Sequence, residues 1–363
     1  MDRMEEIFLL CSLLVSDEHQ NDGKISYEEI EWAKVVEVAN QNLLTPALYF
    51  SLKESNLLER TTDSLLVGFL EEVYERNRER NEAILLQLED IDKILGRYSI
   101  QPLFLKGSAV LSEEIYPDIG IRVMSDIDFM LKPDSFDMGH KVLQKSGYVE
   151  FGRDLGRWHH HTPRMRKDGY FAAIEPHFRI IFDRNIEYIP YSIVSSQKSR
   201  NIKLKNSYVL KPTWHLYHAF LHTAVVDKNH RQWRLGLRHL YDFVMLAKGY
   251  GDRVDWQELY ALARKYEHEK ILEDYLYMAY KLFNLETPLG FNRARGWLHL
   301  KKVMWQMGLI PGTKVHNLYR AYTEFGEIYS YEALKNFYGL HSKSQYPAAF
   351  VRYIFYHMRK HLF

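Results

Sequence analysis

Two aspartates separated by a single apolar residue stand inside the run RVMSDIDFML, residues 122–131. Their surroundings are rich in branched and aromatic residues, and a run this short and apolar predicts a buried strand. Side chains alternate along a strand, so Asp126 and Asp128 share one face while Ile127 and Phe129 take the other. Two bare carboxylates that close repel each other, and burial raises the cost of each charge. A fold that accepts this run must place positive charge between the pair or keep a proton on one of them.

Period and punctuation divide the chain into three parts. Residues 1–95 read as helices, most clearly SLLVGFLEEVYERNRERNEAILLQLEDIDKIL, where apolar residues recur at three and four with charges between them and no proline. Residues 96–211 read as a small α/β core. There SIQPLFLKGS predicts a short strand and a turn, followed by a helix from Ala109 to Ile115, and DIDFML predicts a second strand. Pro133 and Ser135 open a helix that runs through Lys145 and is closed by Gly147, and FAAIEPHFRI and IKLKNSYVL predict further strands. Residues 212–363 return to helix in WHLYHAFLHTAVV and RHLYDFVMLAK, and Asp255 is placed to cap a helix beginning at Trp256. The predicted class is α+β, a small mixed-sheet core flanked by N-terminal and C-terminal helical regions.

The 363 residues include 48 basic and 47 acidic side chains, a formal charge of +1. That excludes a protein held on long nucleic acid by charge alone but leaves room for a single nucleotide. Cys11 is the one cysteine, so neither an internal disulfide nor a cysteine-based zinc site is possible, and a cytoplasmic setting is expected. The first apolar run has acidic neighbours and no small-residue cleavage site, so it reads as a core helix and not as a signal peptide. No apolar stretch approaches the roughly 20 residues of a membrane span. The aromatic, basic tail AAFVRYIFYHMRKHLF reads as a packed helix, with contact to a membrane surface or partner as the alternative.

The first predicted strand ends in Lys106-Gly107-Ser108. Glycine lets the backbone approach a ligand, serine offers a hydroxyl and an amide, and the next helix points its positive N-terminus at the same place. Together these make a seat for phosphate. Two carboxylates on one strand face suit Mg2+ or Mn2+, a hard ion usually held by one or two carboxylates and by the substrate's own phosphates. Where two ions bind, one lowers the pKa of an attacking hydroxyl and the other neutralises a leaving pyrophosphate. A third acid is then wanted, and Glu175 is the candidate. Ala173 and Ile174 flank it with apolar surface, where an unpaired glutamate is costly, and His177 shares its face.

Gly107-Ser108 on a strand-to-helix turn, Asp126-Ile127-Asp128 on the next strand and Glu175 on a later one resemble a known pattern, hG[GS]…Dh[DE]h…h[DE]h. It is that of the DNA polymerase beta-like nucleotidyltransferase superfamily. More closely, LFLKGSAVL through EEIYPDIGIRVMSDIDFML to KSGYVEF, followed by HHHTPRMRKDGYFAAIEPHF, resembles the bacterial family of uncharacterised nucleotidyltransferases. HLYHAFLH and WRLGLRHLYDFVML are fainter likenesses to that family's histidine-bearing and Arg-x-x-Asp helices. The resemblance implies metal-dependent transfer of a nucleoside monophosphate from a nucleoside triphosphate to an acceptor, with release of pyrophosphate. It makes Asp126 and Asp128 metal ligands, and gives Glu175 either the second metal or the role of base toward the acceptor. The acceptor stays open among a small molecule, a protein side chain and an RNA end. A rival reading keeps the fold, with or without a bound nucleotide, but no turnover, as a binding or regulatory protein; the retention of three costly acids speaks against it.

Around the trio, Lys106 and Arg122 are candidate phosphate contacts, and Arg122 reads equally well as the partner of a carboxylate. His177 and His222 are candidates for an acceptor pocket. His218 and His222 lie four apart on one helix face, and His159 and His161 share a strand face, zinc-compatible spacings with no evident third ligand. Trp158, Trp214 and Trp233 would make a stacking wall if they met, with buried packing as the default. Arg238 and Asp242, also four apart, predict an ion pair within one helix.

Overall fold

A computed structural model describes residues 3–15, 29–58, 64–151, 162–183, 186–308, 313–315, 317–319 and 331–353. Trp158 to His161 and residues 354–363 of the tail lie outside the described residues. The chain divides into a unit spanning Met1–Val303, which contains every candidate named above, and a second spanning Met304–Phe363. In the second, a helix at Tyr331–Tyr338 buries Leu334 and sets Tyr331 edge-on to Tyr346. Among the described residues no helix is long and apolar enough to cross a membrane.

The first unit opens with α1 (Arg3–Val15), α2 (Trp32–Gln41), α3 (Thr45–Glu54) and the long α4 (Ser64–Gly96). The second half of α4 buries Ile84, Leu88, Ile91 and Leu95 in the core beneath the sheet, as their three-and-four spacing requires. Asn77 and Asn81 on the same helix donate to the carbonyls of Ile119, Gly120 and Arg122. They brace the loop that enters the two-aspartate strand.

Then come β1 (Leu103–Phe104), α5 (Lys106–Ser112), β2 (Asp126–Met130), α6 (Phe136–Lys145), β3 (Val149–Phe151), β4 (Arg164–Arg166) and β5 (Ala173–His177). A hairpin of β6 (Phe182–Asp183) and β7 (Ile186–Glu187) follows, then the single-turn α7 (Tyr191–Val194), β8 (Lys198–Arg200) and β9 (Tyr208–Leu210). Among the described residues seven strands make one mixed sheet in the order β3-β4-β5-β2-β1-β9-β8. β2 lies at its centre, antiparallel to β1 and parallel to β5. Ile127 and Phe129 enter the core, so alternation turns the acids to the opposite face. The α+β class is the one the sequence predicts. The helix expected from Ala109 to Ile115 instead spans Lys106–Ser112, because the chain is already extended at Leu105 and turns left-handed at Glu114, φ 50°.

The chain then returns to helix with α8 (Pro212–Phe220), which runs on into a π-helical turn over Leu221–Val226. α9 (Leu237–Tyr250), α10 (Trp256–Lys265), α11 (Glu269–Phe283) and α12 (Arg293–Met307) complete it. Asp255 caps α10 by accepting the Glu258 N–H at 2.9 Å, as expected. Histidines of α8, the π turn and α9 line a cavity whose other wall is the acidic end of β2.

Candidate functional site

The parallel pairing of β2 with β5 sets Asp128 directly opposite Glu175, and Met130 opposite His177. Asp128 and Glu175 are almost fully buried, 3% and 4% exposed, depths at which an uncompensated carboxylate is untenable. Lys106 Nζ donates to Asp128 Oδ1 at 2.7 Å, and His177 Nε2 faces the same oxygen at 3.0 Å. Arg164, from the neighbouring β4, donates Nε to Glu175 Oε1 at 2.5 Å and holds Nη2 3.5 Å from Asp126 Oδ2. A lysine and an arginine therefore answer the repulsion posed by the sequence. Burial alone would push the Asp128 carboxyl up, but Lys106 and His177 outweigh it and hold the group well below the usual carboxylate range. Burial would likewise lower the Lys106 ammonium, yet Asp128, with smaller help from Glu175 and Asp126, raises it.

Lys106 is left-handed, φ 47°, a conformation that costs a non-glycine residue about 1 kcal/mol and is held here by its ion pair. At Gly107 a Cβ would stand 2.3 Å from Arg122 Nη1 and 3.1 Å from Met124 Cε, so any larger residue displaces the guanidinium that Asp242 holds. Ser108 is fully buried and its Oγ accepts the Asp128 N–H at 3.0 Å. The hydroxyl expected at a phosphate thus serves as a splint between the turn and the acid strand.

Arg122 borders the cavity but is held away from the three acids. Its Nε and Nη2 donate to the two oxygens of Asp242, both at 2.9 Å, and Tyr116 OH donates to Asp242 Oδ1 at 2.6 Å. This corrects the ion pair expected between Arg238 and Asp242. The two are close on α9, but a bidentate guanidinium from the sheet side takes the carboxylate. Burial would raise Asp242, and Arg122 reverses it, keeping the carboxyl below its ordinary value.

His177 is wholly buried behind the carboxylates, its Nδ1 3.2 Å from the Arg179 carbonyl, and does not line the cavity. His222 does line it, together with His215, His218, Arg238 and His239. Burial holds His218 and His222 well below the ordinary histidine value, and His215 and His239 at about 4, so these four histidines are neutral at pH 7 beside the charged Arg238. The His218 and His222 rings stand 6.3 Å apart, edge to face, a wall and not a chelate. Trp214 is buried and donates Nε1 to Glu258 Oε1 at 2.9 Å, which removes it from any stacking platform.

Asp128, Glu175 and His177 bring ligand atoms within 4.8 Å of one another and can hold a metal ion. Asp126, more exposed, is joined to that group through Arg164. Arg164 is the residue that sequence reasoning missed. Its one trace is the alternation in Arg164-Met165-Arg166, with Met165 buried, which marks a strand but does not name its neighbour.

Residues 28–284 match the model of a family described as uncharacterised nucleotidyltransferase. The match runs from the N-terminal helices through the acid cluster to the end of α11. Comparison with curated proteins and with solved structures finds no match. With well over half of its length matched, acid cluster included, the chain belongs to the uncharacterised nucleotidyltransferase family.

Proposed function

We propose that the chain moves a nucleoside monophosphate from a nucleoside triphosphate to an acceptor, with release of pyrophosphate. The observation that carries this reading is the in-register pair Asp128 and Glu175 at the sheet centre, with Asp126 joined to it and two cations seated on the three acids. The carboxylates of Asp128 and Glu175, whose ligand atoms lie within 4.8 Å of each other, offer the oxygens a hard divalent ion takes, and Asp126 is joined to them through Arg164. Asp126, Asp128 and Glu175 would hold Mg2+ or Mn2+, as one ion or two, which supplies charge neutralisation for the triphosphate and a lower pKa for an attacking hydroxyl.

The chain's own side chains do the remaining work. Lys106 is a point charge on a flexible stem beside the Gly107 turn, suited to a phosphate oxygen once its carboxylate is otherwise neutralised. Arg122, fixed by Asp242 and packed beside Gly107, is the further candidate contact for phosphate. Glu175 is the base candidate toward the acceptor oxygen, and His222 is a neutral hydrogen-bonding group on the acceptor side. The cavity measures about 170 Å³, below the roughly 300 Å³ at which ligand pockets begin, so a nucleotide extends beyond it. A small-molecule acceptor suits that space better than long nucleic acid, as does a formal charge of +1.

The test is pyrophosphate release by the full chain with each of the four nucleoside triphosphates, Mg2+ or Mn2+, and pooled metabolites, proteins or short RNA. Acceptor-dependent release that disappears in Asp128→Asn is expected. Metal-dependent nucleotide binding without turnover in any pool would favour the binding-protein alternative, and absence of such binding would overturn both.

A further inference from the structure

Away from the acids, three residues from separate elements converge: His230 in the connection before α9, Asp274 on α11 and His299 on α12. His230 Nε2 lies 3.0 Å from Asp274 Oδ2. The His230 and His299 rings stack face to face, centroids 4.1 Å and planes 10° apart. Ligand atoms of all three lie within 4.8 Å of one another.

Two observations set this group apart from an ordinary polar clamp between helices. His299 is only 6% exposed, and its buried Nε2 has no hydrogen-bond partner, although buried polar atoms are nearly always paired. Secondly, the other oxygen of Asp274 is fixed by Arg295 Nε at 2.8 Å, and Arg295 Nη2 is itself anchored on Glu273 Oε2 at 2.6 Å. Outer partners of this kind orient a ligating carboxylate. Arg295 divides its charge between Asp274 and Glu273, and Lys302 opposes a cation, so the donor atoms and not a net charge favour an ion here.

We infer that His230, Asp274 and His299 form a second metal centre, for a borderline divalent transition ion of the zinc type, separate from the acid cluster. Two imidazoles and one carboxylate suit zinc-class ions, whereas magnesium prefers oxygen ligands alone. Three protein ligands leave a fourth position for water, and the partly exposed His230 provides the entry side. Binding needs His230 Nε2 without its proton, which moves to Nδ1 or to solvent as the ion takes its place beside Asp274. Because the two ring planes are nearly parallel and an imidazole ligates in its own plane, the rings turn out of their stack as the ligand atoms close to bonding distance. The ion would tie α11, α12 and the His230 connection together.

Crystals of the full chain soaked in zinc and measured at the zinc absorption edge test this without any substitution. The expected result is an anomalous peak bonded to His230, Asp274 and His299 at about 2.0–2.2 Å; no peak there overturns the site, whatever else zinc occupies. In solution, equilibrium dialysis with zinc should show a drop of more than about tenfold in affinity for one equivalent in His299→Ala. That equivalent should persist in Asp126→Asn with Asp128→Asn. Equal zinc affinity and stoichiometry in wild type and His299→Ala would contradict the inference.

Discussion

Replacing Asp242 with asparagine removes one charge and almost no volume, and its neighbours set the cost. Asp242 accepts from Arg122 Nε and Nη2, both at 2.9 Å, and from Tyr116 OH at 2.6 Å. The pair's side chains are only 13% and 9% exposed, so the guanidinium left behind meets water only through the cavities it borders. Breaking a buried pair from one side costs about 3–5 kcal/mol, and the amide oxygen recovers about 1 kcal/mol of hydrogen bonding. The expected loss is therefore about 2–4 kcal/mol, a large share of a typical folding free energy. The effect also reaches the site. Arg122 Nη1 would lie 2.3 Å from a Cβ at Gly107, so a displaced guanidinium disturbs the Lys106-Gly107 turn and nucleotide affinity falls with stability. Urea unfolding midpoints measure the first effect and calorimetric nucleotide titration the second. The double variant Arg122→Met with Asp242→Leu, which leaves no orphan charge, should regain most of the stability but not the affinity. Two outcomes refute the reasoning: a loss below about 1 kcal/mol in Asp242→Asn, or an equal loss in Arg238→Ala, which would return Asp242 to its neighbour on α9.

Burial holds His215 at about 4, below its ordinary 6.5, so the unfolded chain takes up this proton first and stability falls as pH drops from 6.5 towards 4. At pH 5 this histidine alone removes about 2 kcal/mol, and His215→Gln should flatten that part of a urea-midpoint profile; a wild-type profile level from pH 7 to 5 would contradict it. Gly107→Ala should cost about 1–3 kcal/mol in the same assay, since the new methyl meets Arg122 and Met124, and a neutral substitution would mean the turn is looser than described. Lys106→Met leaves His177 as the remaining partner on Asp128 Oδ1 and should destabilise the metal-free chain by about 3 kcal/mol. Added Mg2+ should then raise its melting temperature more than that of wild type, where the ammonium competes for the carboxylate; equal shifts would refute that competition.

What the sequence makes legible is what is local. The period change at the Lys106 turn, the alternation around Asp126 and Asp128, and the costly Glu175 on an apolar strand all follow from neighbours a few residues apart. The Asp255 cap is legible for the same reason. Illegible features join distant segments. Arg164 reaches Glu175 and Asp126 because β4 happens to pair with β5, and no periodicity states which strands are neighbours. Arg122 and Asp242 are 120 residues apart, whereas Arg238 offers a local partner that any helix rule prefers. The bond from Ser108 to β2 is hidden for a subtler reason: a serine at a strand-to-helix turn can face a ligand, the strand beside it or both, and only the close approach of β2 shows its Oγ accepting from Asp128. His230, Asp274 and His299 carry no spacing signal, since three separate elements supply one residue each.

The central claim is that the acids act on the bond between the α- and β-phosphates, and label transfer tests it most directly. With Mg2+ and an acceptor found in the pyrophosphate screen, an α-labelled nucleoside triphosphate should leave its label on the acceptor, and a γ-labelled one should release it as pyrophosphate. Both signals should vanish in Asp126→Ala with Asp128→Ala. Label moving from the γ-position to the acceptor, or α-label transfer that survives the double substitution, would contradict the account.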